Sequence, residues 1–307
     1  MYLEITRKYL APFLLGSFSI LAFAPFYFYP IIFLTIFGIL YLIKDGDSKL
    51  IKSFMFGSGF FIAGIYWIYI CLQQFGGMPP FIALLSTLSL CLFLALFFLP
   101  FSLFKRHKNS IFLIPAFYTL IELLRGMIFT GFPWLSLGYS QVSSSPLIGF
   151  LPILGIHGIS FLVVLSSILI FQLFQKNSKK LYLIFVLITI WGAGEYLKSI
   201  EWSKPKGKLV NISLIQGNIS QDKKWDRDRI VESLDHYKKL ILSSDAKLIV
   251  LPETSMPIEF GKIPESFMKE ITDHLRNIGG HIILGAIETG YYNSAFLLGN
   301  SLEQVYR

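Results

Sequence analysis

In the stretch IVLPETSMPIEF, residues 249–260, an apolar run from Leu248 to Leu251 stops at Pro252 and a carboxylate, Glu253, follows at once, with Thr254 and Ser255 behind it. A buried strand that delivers an acid to a reaction centre ends in this way. The strand holds the backbone, the loop frees the side chain, and the carboxylate can then act as a general base or acid. A strand that closes in an ordinary polar turn ends in the same way, so residue type alone leaves both readings open.

The surrounding elements favour the first. From about residue 208 the pattern alternates between two periods. KLVNISLIQGN (208–218) reads as a short strand ending at Gly217. WDRDRIVESLDHYKKLILSS (225–244) carries Ile230, Leu234, Tyr237 and Ile241 at helical spacing, with Asp226 or Asp228 suited to its first turn. AKLIVLPE (246–253) is a continuous apolar strand, and PESFMKEITDHLRNIGG (264–280) is a helix stopped at Gly279 and Gly280. HIILGAIE (281–288) and YNSAFLLGN (292–300) form a hairpin around Gly290. Alternating strands and helices mean an α/β layer, and the unbroken LIVL run suggests a strand buried on both faces. Sheets of this class place their sites at the C-terminal ends of strands, where Glu253 stands.

The first 200 residues are of another kind. Hydrophobic residues make up 54% of the chain and charged residues 15%, more apolar than a soluble domain. Residues 1–200 hold 13 Lys+Arg and 5 Asp+Glu, residues 201–307 hold 14 of each, so the whole net charge of +8 belongs to the apolar part. Seven apolar stretches, roughly 9–26, 28–43, 54–72, 80–104, 110–129, 147–174 and 181–197, read as transmembrane helices. The loops alternate: Arg7 and Lys8, then Lys44, Lys49 and Lys52, then Lys105, Arg106 and Lys108, then Lys176, Lys179 and Lys180 mark every second one. Positive charge stays inside, so the N-terminus is expected in the cytoplasm and everything after the seventh span outside it. The basic balance therefore reports topology and implies no nucleic-acid partner.

Within this part, Cys71 and Cys91 lie in apolar runs and no metal-ligand spacing occurs, so they read as apolar fillers and no metal or cofactor is implied. Glu122 and Arg125 stand three apart, where they can pair on one helix face near the outer boundary of the membrane. They form either a self-neutralising pair or a contact to a lipid head group or the outer domain. RGMIFTGFPWLSLGYSQ (125–141) is aromatic and punctuated by Gly and Pro. Trp134 and Tyr139 suit a membrane interface, and the density of GFPW-x-x-x-GY favours a re-entrant or surface-lying segment near a point of lipid entry over a plain aromatic belt.

QGNISQDKKWD (216–226), LPETSMP (251–257) and YYNSA (291–295) together resemble the nitrilase, or carbon–nitrogen hydrolase, superfamily, and TGFPWLSLGYSQ (130–141) is similar to the signature loop of bacterial apolipoprotein N-acyltransferases. The resemblance runs through essentially the whole chain in the right order. It implies a helical membrane domain over 1–200 and, over 201–307, the N-terminal portion of a periplasmic nitrilase-like αββα sandwich at the bacterial inner membrane. It implies an acyl chain passed from a phospholipid to an enzyme cysteine, and then to the amine of the diacylglyceryl-cysteine of an apolipoprotein. By motif, Glu253 would be the general base of a Glu–Lys–Cys triad. Trp225 would stand near the acyl or substrate pocket and Asn293 near the site. Trp134, Tyr139 and Arg125 would be substrate contacts.

The triad lysine and cysteine of the resemblance are expected after YYNSAFLLG and are absent from residues 1–307. The chain by itself is therefore expected to be inactive, as the front portion of a longer enzyme, an interrupted gene, or one half of an enzyme completed by a second chain. Two other classes stay open: a membrane protein that binds lipoprotein or lipid without turnover, and a seven-span transporter or receptor, which the scarcity of mid-span polar groups disfavours.

Overall fold

The computed structural model describes residues 6–44, 47–104, 110–142, 144–176, 179–220, 224–225, 229–290, 292–299 and 301–307. Lys105, Arg106 and Lys108 of the expected basic loop, Asp226 and Asp228 of the expected helix start, and Tyr291 of the YYNSA motif lie outside them. The chain forms two compact units, Met1–Lys204 and Pro205–Arg307.

In the first unit each of the seven apolar stretches contains helix, with breaks inside them at 23–26, 65–66 and 126–127. A π-helical turn, Thr6–Leu10, leads into α1 (Ala11–Ser19) and a 3-10 turn, Ile20–Ala22. Then follow α2 (Pro30–Ile43), α3 (Lys49–Gly64), the short α4 (Trp67–Ile70) and α5 (Pro80–Ala95), which continues as a 3-10 segment to Leu103. The remaining helices are α6 (Ser110–Arg125), α7 (Leu151–Leu173) and α8 (Lys180–Lys198). Among the described residues three helical stretches are long and apolar enough to cross a membrane: Pro80–Leu103, Pro146–Leu173 and Lys180–Lys198. A fourth qualifies if α3 and the following helix Trp67–Phe75, bent by 48°, count as one span. The first two helices are shorter than the apolar runs that encode them. The AFAPFYFYP stretch leaves the helix at Phe23 (ψ 172°) and turns through Tyr27, whose φ is 55°.

Close packing explains several residue choices here. A Cβ on Gly16 would lie 1.9 Å from the Phe56 carbonyl oxygen, and one on Gly59 2.0 Å from that of Phe13, so these two glycines let α1 and α3 touch backbone to backbone. Two buried serines return their hydroxyls to the carbonyl one turn back, Ser58 to Phe54 (2.9 Å) and Ser167 to Val163 (2.8 Å), which pairs these two polar groups in an apolar setting. Phe56, Phe60, Phe61, Phe98 and Phe101 are almost fully buried, and Tyr118 of α6 packs onto Phe101 at 5.2 Å and Phe98 at 5.6 Å.

The second unit is a six-stranded mixed sheet with helices on it. The strands are β1 (Ile212–Leu214), β2 (Leu248–Val250), β3 (Met256–Glu259), β4 (His281–Glu288), β5 (Tyr292–Leu298) and β6 (Leu302–Tyr306). The order is β1-β2-β4-β5-β6, with β3 also on β4. The first three pairings are parallel, β1 with β2 and both β2 and β3 with β4, while β4–β5 and β5–β6 are antiparallel. Because β5 pairs along all of β4, β2 and β3 must share its other edge: β2 beside Ile282 and Ile283, β3 beside Ala286 and Ile287. They are the two pieces of one interrupted strand. Helices α9 (Ile230–Leu242) and α10 (Glu265–Ile278) bury Leu234, Tyr237 and Ile241, and Phe267, Ile271 and Leu275, in one core with Ile249, Ile282, Leu284 and Phe296. The turn after α10 uses Gly279 at φ 58°, a left-handed stop.

Candidate functional site

Glu253 lies in the break between β2 and β3. Leu251 still donates its N–H to the Ile283 carbonyl (2.9 Å), and at Met256 the chain is back in register with Ala286. Between these points the Ser255 hydroxyl, not a backbone amide, donates to the Gly285 carbonyl (3.0 Å). The strand is thus spliced by a side chain while residues 252–254 bulge out and Glu253 is exposed. Gly285 makes the bulge feasible: a Cβ there would meet the Thr254 nitrogen at 2.5 Å, the Pro252 oxygen at 2.8 Å and the Glu253 Cα at 3.0 Å. Thr254 is held at φ 47°. A β-branched residue there carries strain of about 1–3 kcal/mol, of the kind that clusters at functional sites.

Three side chains act on the bulge. Asn293, on β5, donates its Nδ2–H to Glu253 Oε1. The Thr254 hydroxyl donates to Asn293 Oδ1 (3.3 Å), which sets the amide so that its NH2 faces Glu253. Lys224 Nζ donates to the Glu253 backbone carbonyl (3.2 Å). Glu253 lines a pocket of about 390 Å3 whose wall also includes Gln216, Gly217, Lys224, Tyr237 and Pro252. Tyr237 bonds to the Gly217 backbone; burial pushes its phenol above the ordinary value, with that bond opposing the shift, so the ring stays neutral there. Trp225 is half-exposed and stands beside Lys224, whose ammonium is 5.9 Å from its ring centre. Lys224 carried no signal beyond its place in KKWD and Tyr237 none beyond its helical spacing, since only the folded chain brings them to Glu253, whereas Thr254 is its neighbour in sequence.

In the first unit, Trp134 and Tyr139 line one apolar groove of about 440 Å3 together with Phe23, Tyr27, Pro133 and Leu135. Trp134 packs on Phe132 at 5.0 Å and faces Trp67 at 6.3 Å. Arg125 does not reach this groove. It is 3% exposed and donates through Nη1 to the Trp134 carbonyl (2.6 Å) and through Nη2 to Ser136 Oγ (3.1 Å). It also lines a second apolar cavity of about 440 Å3 with Leu90, Phe93, Phe97 and Phe129. The pairing of Glu122 with Arg125 suggested by their spacing is not formed. Glu122 Oε1 instead accepts the Leu137 N–H (2.8 Å) and the Tyr118 hydroxyl (3.4 Å), and Oε2 faces His157 Nδ1 at 3.4 Å. The reason is local: α6 ends at Arg125 and the chain folds straight back, bringing loop donors and acceptors to the same helical turn. Among the described residues no cluster of His, Cys, Asp and Glu is placed to hold a metal ion.

A family model described as the apolipoprotein N-acyltransferase N-terminal domain matches residues 15–169. The chain belongs to the apolipoprotein N-acyltransferase family. The matched segment contains Glu122, Arg125, Trp134 and Tyr139. Among curated apolipoprotein N-acyltransferases, that of Nitrosomonas europaea is 37% identical over 316 residues, covering 98% of this chain and 63% of the relative. That of Coxiella burnetii is 38% identical, covering 79% of this chain and 53% of the relative, and that of Haemophilus influenzae 35% identical, covering 81% and 50%. The chain spans less than two thirds of the length of these curated relatives. The family name is that of an acyltransferase, and the apolar helices of the first unit are those of a membrane protein.

Proposed function

We propose that this chain supplies the membrane part and the first portion of a nitrilase-like periplasmic domain of an inner-membrane enzyme. The enzyme moves an acyl chain from a phospholipid to the N-terminal amine of a diacylglyceryl-cysteine apolipoprotein. The observation that carries the reading is the bulge at the end of β2, where Asn293 holds the carboxylate of Glu253, a residue that lines a pocket. Glu253 is the general base. It takes the proton of a cysteine thiol as the sulfur attacks the phospholipid ester carbonyl, while a lysine ammonium steadies the tetrahedral oxyanion. Collapse expels the lysophospholipid oxygen, which recovers that proton, and leaves a thioester. The apolipoprotein amine then attacks the thioester, gives its proton to Glu253, and the thiolate departs and is reprotonated. The resemblance puts the lysine and the cysteine in sequence that follows the YYNSA strand.

The groove at Trp134 and Tyr139 takes an acyl chain: its volume lies in the range of about 300–1,000 Å3 usual for small-ligand pockets, and its wall is apolar and aromatic. Arg125 and Trp225 serve the substrate less directly, the first through the loop that it holds. The alternation of basic loops supports a cytoplasmic N-terminus and a periplasmic second unit.

A fusion of residues 1–307 to the part of the Nitrosomonas europaea relative beyond the matched region tests this. Given phospholipid and a diacylglyceryl peptide, it should form a hydroxylamine-labile acyl-enzyme and acylate the peptide. Glu253→Gln should lower the rate by about 10²–10⁴-fold, the usual contribution of a general base. An unchanged rate in that variant removes the base role. Lipopeptide binding without turnover, indifferent to Glu253→Gln, would favour a non-catalytic binding protein instead.

A further inference from the structure

The segment that carries Trp134 and Tyr139 is an improbable shape to find unsupported. Phe129 (φ 52°), Thr130 (φ 75°) and Leu135 (φ 59°) are non-glycine residues in the left-handed region, and Gly131 (φ 87°) makes a fourth such position. Backbone of this kind persists only where its surroundings over-determine it. The surroundings are two buried charges on the last turn of α6. Glu122 is 2% exposed and Arg125 3% exposed. A buried charge is costly unless hydrogen-bonded, and these two meet that need on the loop rather than on each other. Arg125 holds the Trp134 carbonyl and Ser136 Oγ, and Glu122 holds the Leu137 N–H. Two further bonds lock the same stretch: Ser136 Oγ to the Pro133 carbonyl (3.0 Å), and the Gly138 N–H to Ser160 Oγ of α7 (2.8 Å). Behind the charges stand the Phe61 ring, 5.3 Å from the guanidinium, and Tyr118 and His157 on the carboxylate. The backbone at 133, 134, 137 and 138 and the Ser136 side chain are thereby held, which leaves the Trp134 and Tyr139 rings to form the rim of the groove.

We propose that Glu122 and Arg125 are positioning residues: a two-charge clamp that holds residues 133–138 so that Trp134 and Tyr139 shape the lipid groove. The lipid in this statement rests on the function proposed above; the clamp rests on the geometry alone. Neither residue touches the occupant of the groove. They act through the loop backbone.

The experiment uses the whole chain in detergent, with Trp134 emission isolated as the difference from a Trp134→Phe background. Two readouts are taken: acrylamide quenching without added lipid, and quenching by a phosphatidylethanolamine brominated on its acyl chains. Arg125→Lys, which replaces the two-nitrogen fork by a single ammonium nitrogen, and Glu122→Ala should shift Trp134 emission to the red and raise its acrylamide quenching. They should also raise the brominated-lipid concentration for half-quenching by about tenfold, the factor expected for losing a charge-assisted hydrogen bond. Glu122→Gln keeps an oxygen for the Leu137 N–H and should restore most of the native signal. If Glu122→Ala does not fold, Arg125→Lys and Ser136→Ala decide. Native Trp134 signals in Arg125→Lys overturn the clamp. So does an equal change at all tryptophans with a lowered melting temperature, which would mark a general structural role. A native chain whose Trp134 is untouched by brominated lipid, but whose Arg125→Lys variant still exposes Trp134 to acrylamide, refutes the lipid reading and leaves the clamp standing.

Discussion

The side-chain amide of Asn293 on β5 is bonded to the carboxylate of Glu253, 40 residues earlier in the chain, across the end of β4. Thr254, the next residue to Glu253, fixes the other end of the same amide. Orientation of the carboxylate is thus a property of the hairpin as much as of the PET loop. In the fusion enzyme, Asn293→Ala should slow acyl transfer by about 10–100-fold, as expected for a hydrogen bond to a charged group, with little change in melting temperature. Asn293→Asp would replace the amide donor by a second carboxylate facing Glu253 and should slow the transfer at least as much. An unchanged rate in both variants would argue that the bond does not bear on the base.

Gly285 is the second test of the bulge. Gly285→Ala would drive a methyl into the backbone of residues 252–254, with no flexible side chain able to give way. The expected cost is about 1–3 kcal/mol for overpacking, read as a lower unfolding midpoint. Activity in the fusion enzyme should fall further than stability alone explains, because the displaced atoms belong to Glu253 and its neighbours.

In the first unit, Gly59→Ala should separate α1 from α3, since its methyl would overlap the Phe13 carbonyl. A drop in thermal stability in detergent is expected, larger than for alanine at Gly192, whose Cβ would meet nothing within 4 Å. Equal effects at the two sites would refute the close approach.

The end of the described sheet has a pH dependence of known sign. Arg307 donates to both oxygens of Glu288 (2.7 and 2.6 Å), and Ser294 adds a bond at 3.0 Å. The Arg307 bonds, with Ser294 adding to them, hold the Glu288 carboxyl below its ordinary value of 4.5. A depressed carboxyl pKa contributes stability above the unfolded value and loses it as pH falls through the folded one. Hydrogen-exchange protection of β5 and β6 should therefore decline below about pH 4.5, the ordinary glutamate value. Arg307→Ala should flatten that decline. Arg307 is exposed and Glu288 only partly buried, so added salt should weaken the effect.

The helix Glu265–Ile278 and the β4–β5 hairpin could be read from residue spacing, because a 3.6-residue or a two-residue apolar period is a local property of the chain. The end of the strand at Glu253 could be read for the same reason. Strands β3 and β6 could not. MPIE and LEQVY carry no clear alternation, and each becomes a strand only because a neighbour, β4 or β5, offers an unpaired edge. Spacing also suggested that Glu122 would pair with Arg125, since a helix brings residues three apart together. The loop prevailed because its backbone donors and acceptors would otherwise be buried without partners.

The sequence by itself determined which stretches are apolar helices, where a carboxylate leaves a buried strand, and that an aromatic loop follows α6. Those are matters of composition and period along the chain. Only the tertiary structure decided what each charge holds: Asn293 on Glu253, Lys224 on the bulge, Arg125 and Glu122 on the loop of Trp134 and Tyr139. Hydrogen bonds between residues distant in sequence depend on strand register and on where a loop folds back, and no local pattern of residues encodes either.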